Sequence, residues 1–385
     1  MNVINSRRRD WESLGAVRIA LFFDGFEQGG IGRINLILAE QFIARGYTVD
    51  LIVQRNDGPR AMNVPKGCNI LTMHGVGAVG IVKFVFRYVR QYKPNAIIVS
   101  NLLPSALVCL GALFSRYNIK ILAVNHGDMR VELASLHKLS RQRILLSYLL
   151  KAVIYKRVTI ASVSAGAADS IAIVTGIPRS EIIVLHNPVT LTSEGFGDDD
   201  YALYQWWSTA EIKLLSLGRI CPLKDYETMI NAIGLLAEHS EVKLVIVGDG
   251  PDRGHLESVV DDVGLSKNIK LVGYRGNPSP FLQAADMLVS TSLTEALPVS
   301  IIEAMFFGTK IVVTDCPSGP REILLDGRLG QLVPVKNPSA FAAAVLQEHN
   351  TKRDAEVLYR RAQDFNVNKC VDRYLGVLFG KRLTL

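Results

Sequence analysis

Two carboxylates, Glu295 and Glu303, stand with seven residues between them in the stretch TSLTEALPVSIIEAMFFGTKIVVTD, residues 291–315. Acids at that spacing can address one ligand from neighbouring directions. In the same half of the chain, Gly218-Arg219 and Lys224-Asp225 put two cations into one short segment. Arginine supplies a forked donor and lysine a point charge, the pairing that neutralises a diphosphate. His126-Gly127 offers a ring that can meet a sugar hydroxyl, and Gly29-Gly30-Ile31-Gly32-Arg33 lets backbone approach a ligand closely. Each residue also has a plainer use: Glu295 as a helix cap, Glu303 as a solvated helix residue, the cations as surface charge, the glycines as a tight turn.

The surrounding residues decide how such groups are positioned. Pro298 suits the first turn of a helix and Gly308 the position just past its end. Apolar runs at Ala285–Ser290 and Ile311–Thr314 read as buried strands on either side. The loop holding Glu295 then lies at the carboxyl end of a strand, where open parallel sheets bind ligands. The following helix start offers unpaired N–H groups and a positive dipole end, a seat for a phosphate. Glu303 lies about 80° around that helix from the phase of Glu295.

The same strand–helix alternation runs through the whole chain, so the fold class is α/β with two doubly wound domains facing across a cleft. The first takes residues 1–190, the second 191–364, and an amphipathic helix at 365–385 packs back on the first. The segment Thr190–Tyr204, containing SEGFGDDD, reads as the linker, and Asp198–Asp200 as a solvated acidic run. The glycine cluster after strand one is not GxGxxG, and no acidic residue ends strand two beyond Asp50, so a dinucleotide fingerprint is absent. Ser164 and Asn187 end two further strands at the edge that carries His126, and Gly248-Asp249-Gly250-Pro251 is a turn at the edge that carries Arg219.

At 385 residues, 49% hydrophobic and 21% charged, the chain is long enough for two cores and too apolar for global disorder. Its five cysteines are scattered and form no CxxC pair, which points to a reducing compartment and no disulfide framework. Arg7, Arg8 and Arg9 precede no apolar stretch, so no secretory signal is read, and the longest apolar runs fall short of a membrane span. A cytoplasmic protein is expected, peripheral on the inner membrane at most. The net charge of +7 gathers partly in Val79–Lys93 and His137–Arg157, where cations interrupt apolar residues. These read as a surface for an anionic membrane. Nothing in the sequence interleaves aromatics with the charge as nucleic-acid binding requires.

The motifs GRICPLKD (218–225), VGDGP (247–251), GYRGNPSPFLQAAD (273–286), STSLTEALPVSIIEAM (290–305) and TDCPSGPREIL (314–324) together resemble the retaining, nucleotide-sugar-dependent glycosyltransferases of the GT-B fold, group 1 and family 4. The resemblance covers nearly the whole chain. It implies transfer of a sugar from a UDP- or GDP-sugar to a lipid-linked or glycan acceptor in cell-surface polysaccharide assembly, with no metal. It implies that Arg219 and Lys224 bind the diphosphate, Glu303 the ribose and Glu295 the transferred sugar. Ala296, Leu297 and Val299 then meet the diphosphate or sugar through backbone N–H groups. Gly30 lets the first domain approach the phosphates, His126 bonds the sugar, and Arg275 contacts the base. Ala296 departs from the family pattern, which has glycine there. A nucleotide-sugar epimerase and a non-catalytic component of an assembly complex are the alternatives.

Overall fold

The computed structural model describes residues 17–26, 30–55, 58, 61–73, 77–100, 102–134, 157–190, 195–197 and 200–380. The helix expected near 141–154 and most of the basic stretch 137–157 lie outside the described residues, as do Gly29, Asp198 and Asp199. The chain forms two compact units. One takes the described residues up to Val163, Ala167–Pro188 and the chain end from Asn368; the other takes Ser164–Gly166 and Val189–Val367.

The first unit is built on seven parallel strands: β1 (Arg18–Phe23), β2 (Thr48–Val53), β3 (Cys68–Thr72), β4 (Ala96–Ser100), β5 (Lys120–Asn125), β6 (Thr159–Ser162) and β7 (Ile182–Val184). Their order in the sheet is β3-β2-β1-β4-β5-β6-β7. Central strands such as RIALFF and AIIVS are buried almost throughout, the continuous apolar pattern of a sheet covered on both faces. The edge strand CNILT is half exposed along its length. Helices α1 (Gly30–Ala44), α2 (Ala78–Tyr92), α3 (Leu102–Phe114), α4 (Met129–Ala134) and α5 (Ala165–Thr175) connect the strands. In α2 the buried positions Ile81, Val85, Tyr88 and Val89 follow the helical period, so one stripe faces the sheet. The chain's last helix, Val367–Phe379, buries Cys370, Val371, Tyr374, Leu375 and Leu378 in the same way.

The second unit repeats the topology with six parallel strands: β8 (Ile212–Leu217), β9 (Val242–Val247), β10 (Ile269–Gly273), β11 (Met287–Ser290), β12 (Lys310–Thr314) and β13 (Gln331–Val333). The order β10-β9-β8-β11-β12-β13 places its switch point between β8 and β11. Its helices are α6 (Tyr201–Ser208), α7 (Tyr226–Ala237), α8 (Arg253–Asp262), α9 (Ser279–Ala284), α10 (Val299–Phe306), α11 (Gly319–Ile323), α12 (Pro338–Asn350) and α13 (Ala355–Ala362). The segment read as a linker ends differently from that reading. Residues 201–208 are helical, and Trp207 is fully buried with its Nε1–H donating to Lys243 O at 3.1 Å.

One polar cluster is sunk in the first unit. The Asp50 carboxylate, mid-strand in β2 and 0% exposed, accepts from Arg18 Nη1 at 2.7 and 2.9 Å, Asn69 Nδ2 at 2.8 Å and Tyr88 Oη at 2.7 Å. It ties β1, β2, β3 and α2 together, and burial with the Asp50 hydrogen bond drives the Tyr88 hydroxyl far above its ordinary pKa. Replacing Asp50 with Ala strands three donors whose acceptor is gone. We expect a loss of about 3 kcal/mol of stability in urea unfolding; an unchanged midpoint would show that the cluster holds nothing together.

Candidate active site

In the second unit, β8 and β11 are parallel neighbours, and the loops that follow their carboxyl ends are sewn together. The loop after β8 carries Gly218, Arg219 and Lys224; the loop after β11 carries Glu295 and leads into α10. Leu293 N–H donates to Leu223 O at 2.9 Å, and the buried Thr291 hydroxyl bridges the carbonyls of Lys224 and Asp225 at 3.0 and 2.8 Å. On the other side, Thr314 Oγ1 at the end of β12 donates to Ser292 O at 2.5 Å. These buried hydroxyls do the work that ladder hydrogen bonds do within the sheet.

At the centre, Lys224 Nζ forms an ion pair and hydrogen bond with Glu295 Oε1, which also accepts from Ser292 Oγ at 2.8 Å. Both side chains are mostly covered, at 24% and 15% exposure. Burial pulls the lysine pKa down, but the Glu295 carboxylate more than offsets it, and the ammonium sits above its ordinary value. Sequence reasoning placed these two residues in one site but assigned them separate ligand contacts; the structure pairs them with each other. Burial and Glu295 push the neighbouring Cys316 thiol up to about 12, so it is inert.

Glycines fix the loop after β8 from behind. A Cβ on Gly248, which sits at φ +155°, would lie 1.8 Å from Gly218 O, and one on Gly250 would lie 2.0 Å from Ile220 O. The GDGP turn is therefore packed onto the Gly218–Ile220 backbone, and Ile220 N–H donates to Asp249 O at 3.0 Å. Arg219, held on this backing, is exposed and makes no hydrogen bond or ion pair with any described residue.

Helix α10 starts directly after Pro298, which caps it from outside rather than occupying its first turn. It ends in a Schellman motif: Gly308, at φ +70°, donates to Met305 O, and Thr309 donates to Ala304 O. At its start, the backbone N–H groups of Ala296, Leu297, Val299 and Ser300 donate to no described residue. Four donors with no acceptor at a helix N-terminus, one residue from an ion pair, make an anion seat. Glu303 is in the middle of α10 and only 3% exposed, so it is a buried carboxylate and not a solvated helix residue.

Two features here had no signal in the sequence. Ser318 takes φ +92°, ψ −103°, a conformation that costs a non-glycine residue of order 1–3 kcal/mol. It bridges Glu295, whose N–H donates to Pro317 O at 3.3 Å and whose O accepts from Gly319 at 3.2 Å. Gly319 is required by close approach: its Cβ would meet Ala296 O at 2.8 Å and Leu297 Cα at 2.9 Å.

Arg275, expected at the base, clamps Asp200, with Nε at 3.1 Å and Nη2 at 3.0 Å from Oδ1. Asp200 is 14% exposed by side chain, which corrects the reading of that acid as solvated; its neighbour α6 is anchored by the clamp.

In the first unit, Gly30 opens α1 after β1, and a Cβ there would meet nothing within 4 Å. No packing inside the unit demands glycine at this position. Asn35 of α1 donates to Ser100 Oγ at the end of β4 at 2.9 Å, fixing the helix beside the switch point between β1 and β4. His126 follows β5 directly and is half-buried. Burial takes its ring down to about 4, the Asn187 side chain pulling partway back, so the imidazole is neutral at pH 7. Sequence reasoning missed Asp128 and Glu132 beside it. A Cβ at Gly127 would fall 1.9 Å from Glu132 Oε1, so Gly127 makes room for that carboxyl, and burial with nearby Asp128 raises its pKa. Ser164 and Asn187 are both buried near this edge.

The family described as Glycosyltransferase Family 4 matches residues 28–193, and Glycosyl transferases group 1 matches residues 211–350. The chain is 33% identical over 176 residues to the lipopolysaccharide core biosynthesis glycosyltransferase LpsE of Rhizobium meliloti, covering 44% of this chain and 50% of that one. It is 29% identical over 128 residues to a diphospho-undecaprenol 4-alpha-N-acetylgalactosaminyltransferase of Campylobacter jejuni, covering 33% and 34%. The chain spans about 25% to 50% of the length of the curated relatives it matches. Among solved structures it superposes on HepE from Anabaena in complex with UDP, with TM-score 0.76 and 16% identity over 95% of this chain and 100% of that one. A glycosyltransferase from Rickettsia africae gives TM-score 0.77 at 15% identity, covering 94% and 98%. One family matches along the first unit and the other along the second, and the chain belongs to the glycosyltransferases of family 4 and group 1 with the GT-B fold.

Proposed function

We propose that the chain transfers a sugar from a nucleotide-diphosphate sugar to an acceptor hydroxyl, with retention of anomeric configuration, in assembly of a cell-surface polysaccharide or lipopolysaccharide. The observation that carries this reading is the anion seat of Ala296, Leu297, Val299 and Ser300 beside the Lys224–Glu295 pair at the switch point of the second sheet. A donor diphosphate fits that seat because it meets unpaired N–H groups, a helix N-terminus and two cations at once.

In the proposed reaction the acceptor oxygen attacks the anomeric carbon on the face from which the diphosphate leaves. The bond from that carbon to the phosphate oxygen breaks, and the acceptor proton passes to the departing phosphate. Charge grows on the leaving diphosphate, and Lys224 and Arg219 stabilise it there. Glu295 fixes the ammonium in place and is near enough to the seat to contact the transferred sugar, while Glu303 takes the ribose hydroxyls. HepE holds UDP, which favours a UDP-sugar donor. The Campylobacter relative acts on a diphospho-undecaprenol substrate, which favours a lipid-linked acceptor. In this reading His126, neutral at pH 7, serves as a hydrogen-bonding partner and not as a cation.

Thermal-shift titration with UDP, GDP and ADP tests the donor directly, with UDP expected to raise the melting temperature most. Lys224→Met should lower kcat/KM by roughly 10²- to 10³-fold, the effect of deleting one preorganised charge partner, while circular dichroism stays unchanged. Full activity in that variant would remove the diphosphate assignment.

The depressed His126 pKa also has a pH consequence. Above pH 6.5 the folded and unfolded rings are both neutral and the group contributes nothing. Below it, the unfolded chain takes up a proton that the folded ring refuses until about 4, so stability falls through that window. Ring-proton NMR should find His126 unprotonated down to pH ~5, and His126→Gln should lessen the acid loss by on the order of 2 kcal/mol. A His126 titration centred near 6.5 would show that the ring is solvated.

A further inference from the structure

Lys224 and Tyr226 are separated by one residue, and a continuous helix would point their side chains to different faces. Asp225 between them takes φ +48°, ψ +50°, the left-handed region that a non-glycine residue enters at a cost. The turn is held from two sides: Thr228 Oγ1 donates to Asp225 Oδ2 at 2.7 Å, and the Thr291 hydroxyl donates to Asp225 O at 2.8 Å. Its result is a convergence. A Cβ on Gly218 would lie 3.3 Å from Lys224 Cε, 3.6 Å from Lys224 Nζ and 3.6 Å from Tyr226 Oη. The ammonium and the phenol oxygen therefore both stand over one glycine, just past the end of β8.

Tyr226 opens α7, and its ring belongs to the core with Met229, Ile230, Ile233 and Leu236, buried at helical spacing along the same helix. That core asks only for the ring. The hydroxyl has a different setting. Burial raises its pKa above the ordinary value, and Lys224 and Ser216 offset part of the rise, so at pH 7 it is a neutral phenol with an ammonium for a neighbour. Tyr226 is 6% exposed, so little water screens the two from each other. A lysine stem has four carbons and turns easily, and the single bond to Glu295 leaves the ammonium free to pivot about that carboxylate. A second polar atom beside the ammonium, fixed to a rigid ring, narrows the pivot.

We propose that Tyr226 is a positioning residue for the donor diphosphate: its hydroxyl, together with Glu295, holds the Lys224 ammonium over Gly218, in the place from which it meets the phosphate. The inference rests on the diphosphate reading of Lys224 and adds to it a residue whose effect passes through that ammonium. The strained turn at Asp225 is the device that brings the phenol there. All the groups involved belong to the second unit.

Calorimetric titration of the full chain with UDP, and in parallel with GDP, tests this through a double-mutant cycle. Tyr226→Phe removes one oxygen and keeps the ring, so circular dichroism and the urea midpoint should match the wild-type chain. It should weaken nucleoside diphosphate binding about tenfold when Lys224 is present, the size of coupling that neighbouring groups show. In the Lys224→Met chain, where no ammonium is left to position, the same substitution should cost no more than about twofold. Unchanged affinity in Tyr226→Phe, beside a clear loss in Lys224→Met, overturns the inference and leaves the diphosphate reading standing. An equal loss in both backgrounds overturns it too, because the hydroxyl then acts on something other than the ammonium. A fall in the urea midpoint large enough to account for the loss assigns the oxygen to the core and overturns it as well. No loss in Lys224→Met, or no binding by the wild-type chain, removes the diphosphate reading itself and this inference with it.

Discussion

The ion pair between Lys224 and Glu295 is the constraint around which the second unit is arranged. The two residues come from loops that leave adjacent strands, β8 and β11, at the point where the order of the sheet reverses. A crevice opens at such a point because successive connections pass to opposite faces. Nothing in the sheet's own hydrogen bonding holds the loops together there. The ion pair does so, helped by Thr291 and by the Leu293–Leu223 backbone hydrogen bond. With the pair formed, the first residues of α10 are fixed beside an ammonium while their N–H groups stay unspent. A partly buried pair contributes little net stability once desolvation is counted. Its value here lies in position: it keeps a cation desolvated enough to act strongly on an anion, at no cost of reorganisation when the anion arrives.

That preorganisation extends to the backbone behind the pair. The Gly218–Ile220 segment is pinned by the glycines of GDGP, which allow contacts no side chain could survive. The Glu295 backbone is bridged to Ser318, whose strained φ and ψ persist because hydrogen bonds on both sides over-determine them. Strain stored against a binding loop and rigid packing around an unfilled set of donors are the structural counterparts of one another. The protein holds the loop in one form, and the cost appears in the residues around it.

Much of this was legible in the sequence, and the reason is the parallel sheet. Buried strands read as unbroken apolar runs, so β4, β9, β11 and β12 stand where their residue types put them, and the carboxyl ends of strands mark where Arg219, Lys224, Glu295 and His126 lie. Pro298 and Gly308 bound α10 because one cannot continue a helix backward and the other alone tolerates its left-handed end. What did not show was whatever depends on partners distant in sequence. α5 carries no such mark, because AGAADSIAIVT is small and apolar on most sides and shows no clear stripe. Asp200 looked solvated because its Arg275 partner lies 75 residues away. Glu303 looked exposed because burial of a glutamate is decided by what packs over the helix, not by its own type. The Lys224–Glu295 bond was invisible for the same reason, although both residues were recognised.

Ala296, where the family pattern has glycine, can be placed in this frame. Gly319 presses against the rear of the segment so closely that no atom could be added between them: its Cβ would lie 2.8 Å from Ala296 O and 2.4 Å from Pro298 Cδ. The backbone of residues 296–298 therefore has no freedom to retreat from a ligand. In the proposed function that segment lines the donor, so the methyl at 296 bears on the donor. The proposed diphosphate contacts there are backbone donors, which alanine supplies as glycine does, and the proposal therefore assigns the effect of the methyl to the sugar end. On that reading the substitution bears on the choice of sugar and leaves the backbone donors of the seat as the family pattern has them.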